Sequence, residues 1–128
     1  MDLNFKKISI IGLGLIGTSI LHAIKAKEED ELVTFAYDIN PKHRQIVSQM
    51  KIATFVCDDI ENTVSEADLV ILAVPVGSMK TVANLIAPFL RKNTIVTDTG
   101  STKRSVISDV NPYICLLYTS DAADETEG

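Results

Sequence analysis

The stretch Ser9–Leu21, SIIGLGLIGTSIL, sets Gly12, Gly14 and Gly17 between two runs of Ile and Leu that read as core. This spacing constrains the fold more than any other feature of the chain. An apolar strand that meets G-x-G-x-x-G and then resumes at helical periodicity must turn sharply into a helix whose N-terminus is left open. In such a turn Gly12 permits the sharp exit from the strand, Gly14 lets the backbone approach a pyrophosphate, and Gly17 lets helix and strand pack closely. The N–H groups and positive dipole end of the helix then face the phosphates. Glycine turns also occur for packing alone, so the rest of the chain has to supply the context.

That context is a strict alternation of strands and helices. KISIIG is a short apolar strand, after which Ile16, Ile20, Leu21 and Ile24 recur at helical spacing as far as the charged KAKEEDE. LVTFAYD, residues 32–38, reads as a second strand, and NPKHRQIVSQM as a helix with Asn40 as N-cap and Pro41 at its first position. IATFVCD is a third, weaker strand, ENTVSEA a short helix, DLVILAV a strongly apolar fourth strand, VGSMKTVANLIAPFL a helix and TIVTD a fifth strand. STKRSVISDV begins one more helix. Alternation of this kind requires parallel pairing, and strands apolar on both faces require helices on both sides of the sheet. The expected fold is therefore an α/β, doubly wound parallel sheet of Rossmann type. A chain of 128 residues, 46% hydrophobic, has room for one such domain.

Asp38 ends the second strand about twenty residues beyond Gly17, where a carboxylate accepts hydrogen bonds from the adenosine ribose. A 2′-phosphate there would meet a like charge, so NAD is expected rather than NADP. Lys42 and Arg44 stand close by in sequence and read as a solvated face of the second helix. AVPVGS follows the fourth strand, where Val74 and Pro75 would border the nicotinamide, and DTGSTKRS follows the fifth. Both fall at strand carboxyl ends, where open α/β sheets bind their ligands.

Charge and cysteine usage exclude other classes. Four of the 17 acids, Asp121, Asp124, Glu125 and Glu127, lie in the last eight residues, which leaves a nearly neutral body with scattered basic residues and no footprint for nucleic acid. No apolar run is long enough for a membrane helix and no signal-peptide core is present, so the expected compartment is the cytoplasm. Cys57 and Cys115 lack metal-ligand spacing, and no metal is expected.

In order and spacing, GLGLIGTSI, YD, ADLVILAVPV and TDTGSTKRSV resemble the nicotinamide-binding half of the prephenate/arogenate dehydrogenase family of tyrosine biosynthesis, over about residues 6–110. Leu15 and Ile16 of the L-I-G step and the D-x-G-S-x-K loop are the more specific parts; the glycines alone equally suit hydroxyisobutyrate-type dehydrogenases or pyrroline carboxylate reductases. The resemblance implies NAD-dependent oxidative decarboxylation of prephenate or arogenate. It also implies Ser101 beside the nicotinamide and the substrate hydroxyl, and a supporting role for Lys103. The family's catalytic histidine, in a His-Pro-x-x-Gly segment, has no counterpart; His22 and His43 read as helix residues. The full-length protein is expected to be a homodimer through a helical C-terminal domain.

Residues 115–125, CLLYTSDAADE, resemble the in-frame translation of a sequencing-library adapter. A dinucleotide-binding domain over residues 1–114 and a non-native tail over 115–128, disordered or loosely added to a sheet edge, are therefore expected. Such a fragment would bind dinucleotide without turning over substrate, as a monomer or an aggregation-prone species. The competing readings are a stand-alone NAD-binding regulatory module and a β-hydroxyacid dehydrogenase fragment. The DTGSTK loop favours an enzyme, since its polar groups have no obvious role in a sensor.

Overall fold

A computed structural model of the chain describes residues 5–27 and 32–99 and the strand 115–119. The elements run β1 (Lys7–Ile11), α1 (Leu15–Ala26), β2 (Val33–Tyr37), α2 (Pro41–Met50), β3 (Phe55–Val56), α3 (Ile60–Val64), β4 (Leu69–Leu72), α4 (Val76–Ile86) with a following 3-10 turn (Ala87–Phe89), β5 (Ile95–Asp98) and β6 (Cys115–Thr119). They form one six-stranded sheet in the order β3-β2-β1-β4-β5-β6. The first five strands of that order pair in parallel, as the alternation requires.

Strand alternation splits the core cleanly in two. Ile8, Ile10, Ala36, Leu69 and Ile71 meet Ile20, Leu21 and Ile24 of α1 and Val47 of α2 on one face. Ile11, Val70, Leu72 and Val96 meet Val64 of α3 and Ile86 of α4 on the other. All four residues of β4 are buried, which is why its sequence is an unbroken apolar run rather than an alternation. Asn40 accepts from the Lys42 N–H as the N-cap of α2, and Asp59 caps α3 by accepting from the Asn62 N–H. Among the described residues no helix is long and apolar enough to cross a membrane.

The five crossover-linked strands are all parallel, as expected, and β6, from the stretch expected to be disordered or loosely added to a sheet edge, joins the β5 edge antiparallel with an irregularity between Val96 and Thr97. An edge strand presents a row of backbone donors and acceptors to any neighbour, and a β-prone segment such as CLLYT pairs with such an edge readily. The third strand shrinks to Phe55–Val56, at the opposite edge, where the Phe55 ring stacks on Phe35 with centroids 5.4 Å apart.

Candidate functional site: a dinucleotide cleft at the strand carboxyl ends

The order β3-β2-β1-β4-β5 reverses direction between β1 and β4, so the chain leaves these two neighbours toward opposite faces and opens a crevice at their carboxyl ends. Gly12, Gly14, Asp38, Val74 and Pro75 stand just beyond the carboxyl ends of β1, β2 and β4, and Leu15, Ile16 and Gly17 form the first turn of α1. Ser101, Lys103 and the expected helix after β5 lie outside the described residues.

The three glycines do three different things. Gly12 has a φ of +106°, and a Cβ there would overlap the Ala73 carbonyl oxygen and lie 2.8 Å from the Ala73 carbonyl carbon. Its N–H donates to the Tyr37 carbonyl at 2.8 Å, which ties the turn to β2. A Cβ on Gly17 would overlap the carbonyl oxygen of Gly12 itself, so α1 sits directly against the turn. At Gly14 a Cβ would meet nothing within 4 Å. Gly14 is also the N-cap of α1 and gives it no side-chain bond, so the first-turn N–H groups have no internal partner by helix geometry. Open space over an uncapped helix N-terminus is what a pyrophosphate needs.

Asp38 lies at the end of β2, with its carboxylate turned into the glycine turn. Oδ2 accepts from the Leu13 N–H at 2.7 Å, and Oδ1 accepts from the Asn40 N–H at 2.8 Å. The His43 Nδ1 is 3.2 Å from Oδ2. Burial acts to raise this carboxyl, but the Asn40 and Leu13 N–H groups and the His43 ring outweigh it and hold it below the usual carboxylate range. A carboxylate oxygen offers about two lone pairs. Oδ1, with one N–H bond, therefore keeps capacity for a ribose hydroxyl. The arrangement fits an adenosine dinucleotide: a charged acceptor for the ribose at β2 and an open backbone for the pyrophosphate at Gly14.

Sequence reasoning missed two residues here. Arg44 is not a solvated-face residue: its Nη1 donates to the Asp38 carbonyl at 2.8 Å, and its guanidinium lies 5.6 Å from the Tyr37 ring centroid. Its Nε is also 3.7 Å from Asp58. His43 belongs to α2 as expected, yet its ring turns back to Asp38 rather than serving only as a helix residue. The Asn40–Pro41 cap was the available signal, because it reverses the chain and returns the first turn of α2 to the end of β2. Lys42 is exposed, as read. Burial pushes the Cys57 thiol up, which makes it a poor nucleophile.

Fold and cleft together define a Rossmann-type dinucleotide-binding domain. The family model described as "Prephenate dehydrogenase, nucleotide-binding domain" matches residues 21–120, and the chain belongs to that family. It is 48% identical over 103 residues to a cyclohexadienyl dehydrogenase of Zymomonas mobilis, covering 80% of this chain and 35% of that protein. It is 34% identical over 110 residues to a prephenate dehydrogenase of Lactococcus lactis, covering 83% of this chain and 29% of that protein. The chain thus spans about a third of the length of these relatives. Among solved structures, prephenate dehydrogenase from A. aeolicus in complex with hydroxyphenyl propionate and NAD+ superposes with a TM-score of 0.69 at 23% identity, covering 85% of this chain and 40% of that one.

Proposed function

We propose that this chain is the NAD-binding part of a dehydrogenase that oxidatively decarboxylates prephenate or arogenate. The observation that carries the cofactor reading is the Asp38 carboxylate, fixed by the Leu13 N–H beside the open backbone at Gly14. The substrate class rests on the relatives' names, cyclohexadienyl and prephenate dehydrogenase. NAD bound in this cleft supplies a hydride acceptor. Asp38 orients the ribose, the α1 N-terminus holds the pyrophosphate, and Val74 and Pro75 direct the nicotinamide end toward the carboxyl end of β5. Ser101, which follows β5 in sequence, is assigned to the substrate hydroxyl. Loss of hydride from the hydroxyl-bearing ring carbon and of carbon dioxide from the opposite carbon leaves an aromatic ring. Aromatisation supplies the driving force, so the protein's work is mainly alignment and acceptance of the hydroxyl proton.

The domain is assigned to residues 1–114, with 115–128 as an added tail; the adapter-like sequence supports this, and β6 requires only a β-prone backbone. The complete enzyme is proposed to be a cytoplasmic homodimer. Two experiments test the reading. Isothermal titration of this chain with NADH tests the cleft, and absence of binding removes the cofactor assignment. Sequencing the source DNA across codon 114 and assaying the product of its continuous frame tests the reaction. No NAD reduction with either prephenate or arogenate would sink the substrate assignment.

A further inference from the structure

The end of β2 holds more than an acceptor for a ribose. Two cationic or protonatable side chains of α2 converge on one residue: the His43 ring on the Asp38 carboxylate at 3.2 Å, and the Arg44 guanidinium on the Asp38 carbonyl at 2.8 Å. Arg44 is pinned there, with its side chain only 20% exposed and its guanidinium against the Tyr37 ring. One of its five N–H donors serves the Asp38 carbonyl, and Nε lies 3.7 Å from the exposed Asp58 carboxylate, which leaves its remaining N–H groups for a phosphate. The His43 side chain is 43% exposed, so its ring lies at the mouth of the cleft rather than in the core.

We propose that His43 and Arg44 are specificity-determining residues that form a latent 2′-phosphate site, kept closed to NADP by the carboxylate of Asp38, the residue on which both converge. The inference rests on the reading of this cleft as an NAD site. A ribose hydroxyl bonded to Asp38 Oδ1 would carry its 2′-phosphate into the same space as the carboxylate, and the like charges would repel. With the carboxylate's charge removed, the phosphate would meet a pre-positioned guanidinium and an imidazole. Charge-assisted bonds from such donors to phosphate are the strong ones, and a fixed guanidinium has less freedom to lose when it binds.

The test is isothermal titration of the whole chain with NADH and with NADPH, for the wild type, Asp38→Asn, and Asp38→Asn combined with His43→Ala or with Arg44→Ala. The wild type is expected to prefer NADH by about ten-fold or more. Asp38→Asn should tighten NADPH by about ten-fold and weaken NADH, and each added alanine should return about five-fold of that gain. NADH affinity of the two combined variants should stay within about two-fold of Asp38→Asn. Wild-type NADH binding with no NADPH gain in Asp38→Asn overturns this inference and leaves the cofactor reading standing. A gain that persists in both combined variants also overturns it, since loss of repulsion alone would then account for the gain. Wild type that binds neither dinucleotide ends both. Should Asp38→Asn lose its circular-dichroism melting transition, Asp38→Ser carries the same series, because it also removes the carboxylate's charge.

Discussion

Replacing Gly17 by alanine separates the two jobs of the glycine turn. A Cβ at this position would overlap the Gly12 carbonyl oxygen and lie 2.9 Å from the Gly12 carbonyl carbon, inside the 3.0 Å floor of real Cβ contacts. The obstruction is backbone, so no side chain can swing aside; α1 must shift away from β1 by roughly 1 Å, loosening Ile20, Leu21 and Ile24 in the core. Overpacking of this kind costs about 1–3 kcal/mol, and a backbone collision belongs at the upper end. Alanine recovers about 0.5–1 kcal/mol of helix propensity. The net loss is about 2 kcal/mol, which lowers Tm by roughly 6–10 °C for a domain of this size. Urea unfolding followed by far-UV circular dichroism reads it. Gly14→Ala is the control: its Cβ meets nothing within 4 Å, so it should unfold within about 1 kcal/mol of wild type. It should nevertheless weaken NADH by about ten-fold or more, because the methyl occupies the phosphate's approach. An unfolding midpoint for Gly17→Ala equal to or above wild type would refute the packing argument.

Three further outcomes are expected. Asp68 accepts from the Lys6 and Lys7 N–H groups at 3.0 Å each and from Arg91 Nη2 at 2.7 Å, joining the amino ends of β1 and β4 to the turn before β5. Asp68→Ala should cost about 1–2 kcal/mol, with part of the ion pair's worth discounted for solvent exposure, and an unchanged urea midpoint would show that the clip is idle. Burial raises the carboxyls of Asp38 and Asp68, but their hydrogen bonds and cationic neighbours outweigh it and leave both below the usual range. On acidification the unfolded chain therefore takes up these protons first. Their contribution is complete above an unfolded pKa of about 3.9 and is lost as pH falls through the lower folded values. Urea midpoints should drop steeply below about pH 4, and less steeply in Asp38→Asn combined with Asp68→Asn; equal slopes would contradict the assignment. Ile71→Ala removes a side chain 1% exposed in the core beneath α1 and should cost about 2–5 kcal/mol by thermal denaturation; a loss under about 1 kcal/mol would mean the site collapses around the cavity.

Most of the architecture was legible in the sequence because it is written in local periodicity. The apolar run of β4, the helical spacing of Ile16, Ile20 and Ile24, and the Asn40–Pro41 cap each specify an element without reference to distant residues. The glycine turn was equally legible, since G-x-G-x-x-G encodes a backbone conformation and a close approach that other residues cannot adopt. Asp38 was found by its distance along the chain from that turn.

What only the tertiary structure decided is where side chains from separate elements meet. His43 and Arg44 look like ordinary polar positions of an amphipathic helix, and no period distinguishes a solvated face from one folded back onto a strand end. Their convergence on Asp38 follows from the angle at which the Asn40 cap returns α2 toward β2. The antiparallel β6 is of the same kind. Sequence alternation fixes parallel pairing only for strands joined by crossover helices, while the edge partner of β5 is selected by open backbone hydrogen bonds. Local pattern determines which elements form because it acts through backbone conformation and burial period. The cleft's charge arrangement depends on contacts between elements, and these exist only once the sheet and its helices have packed.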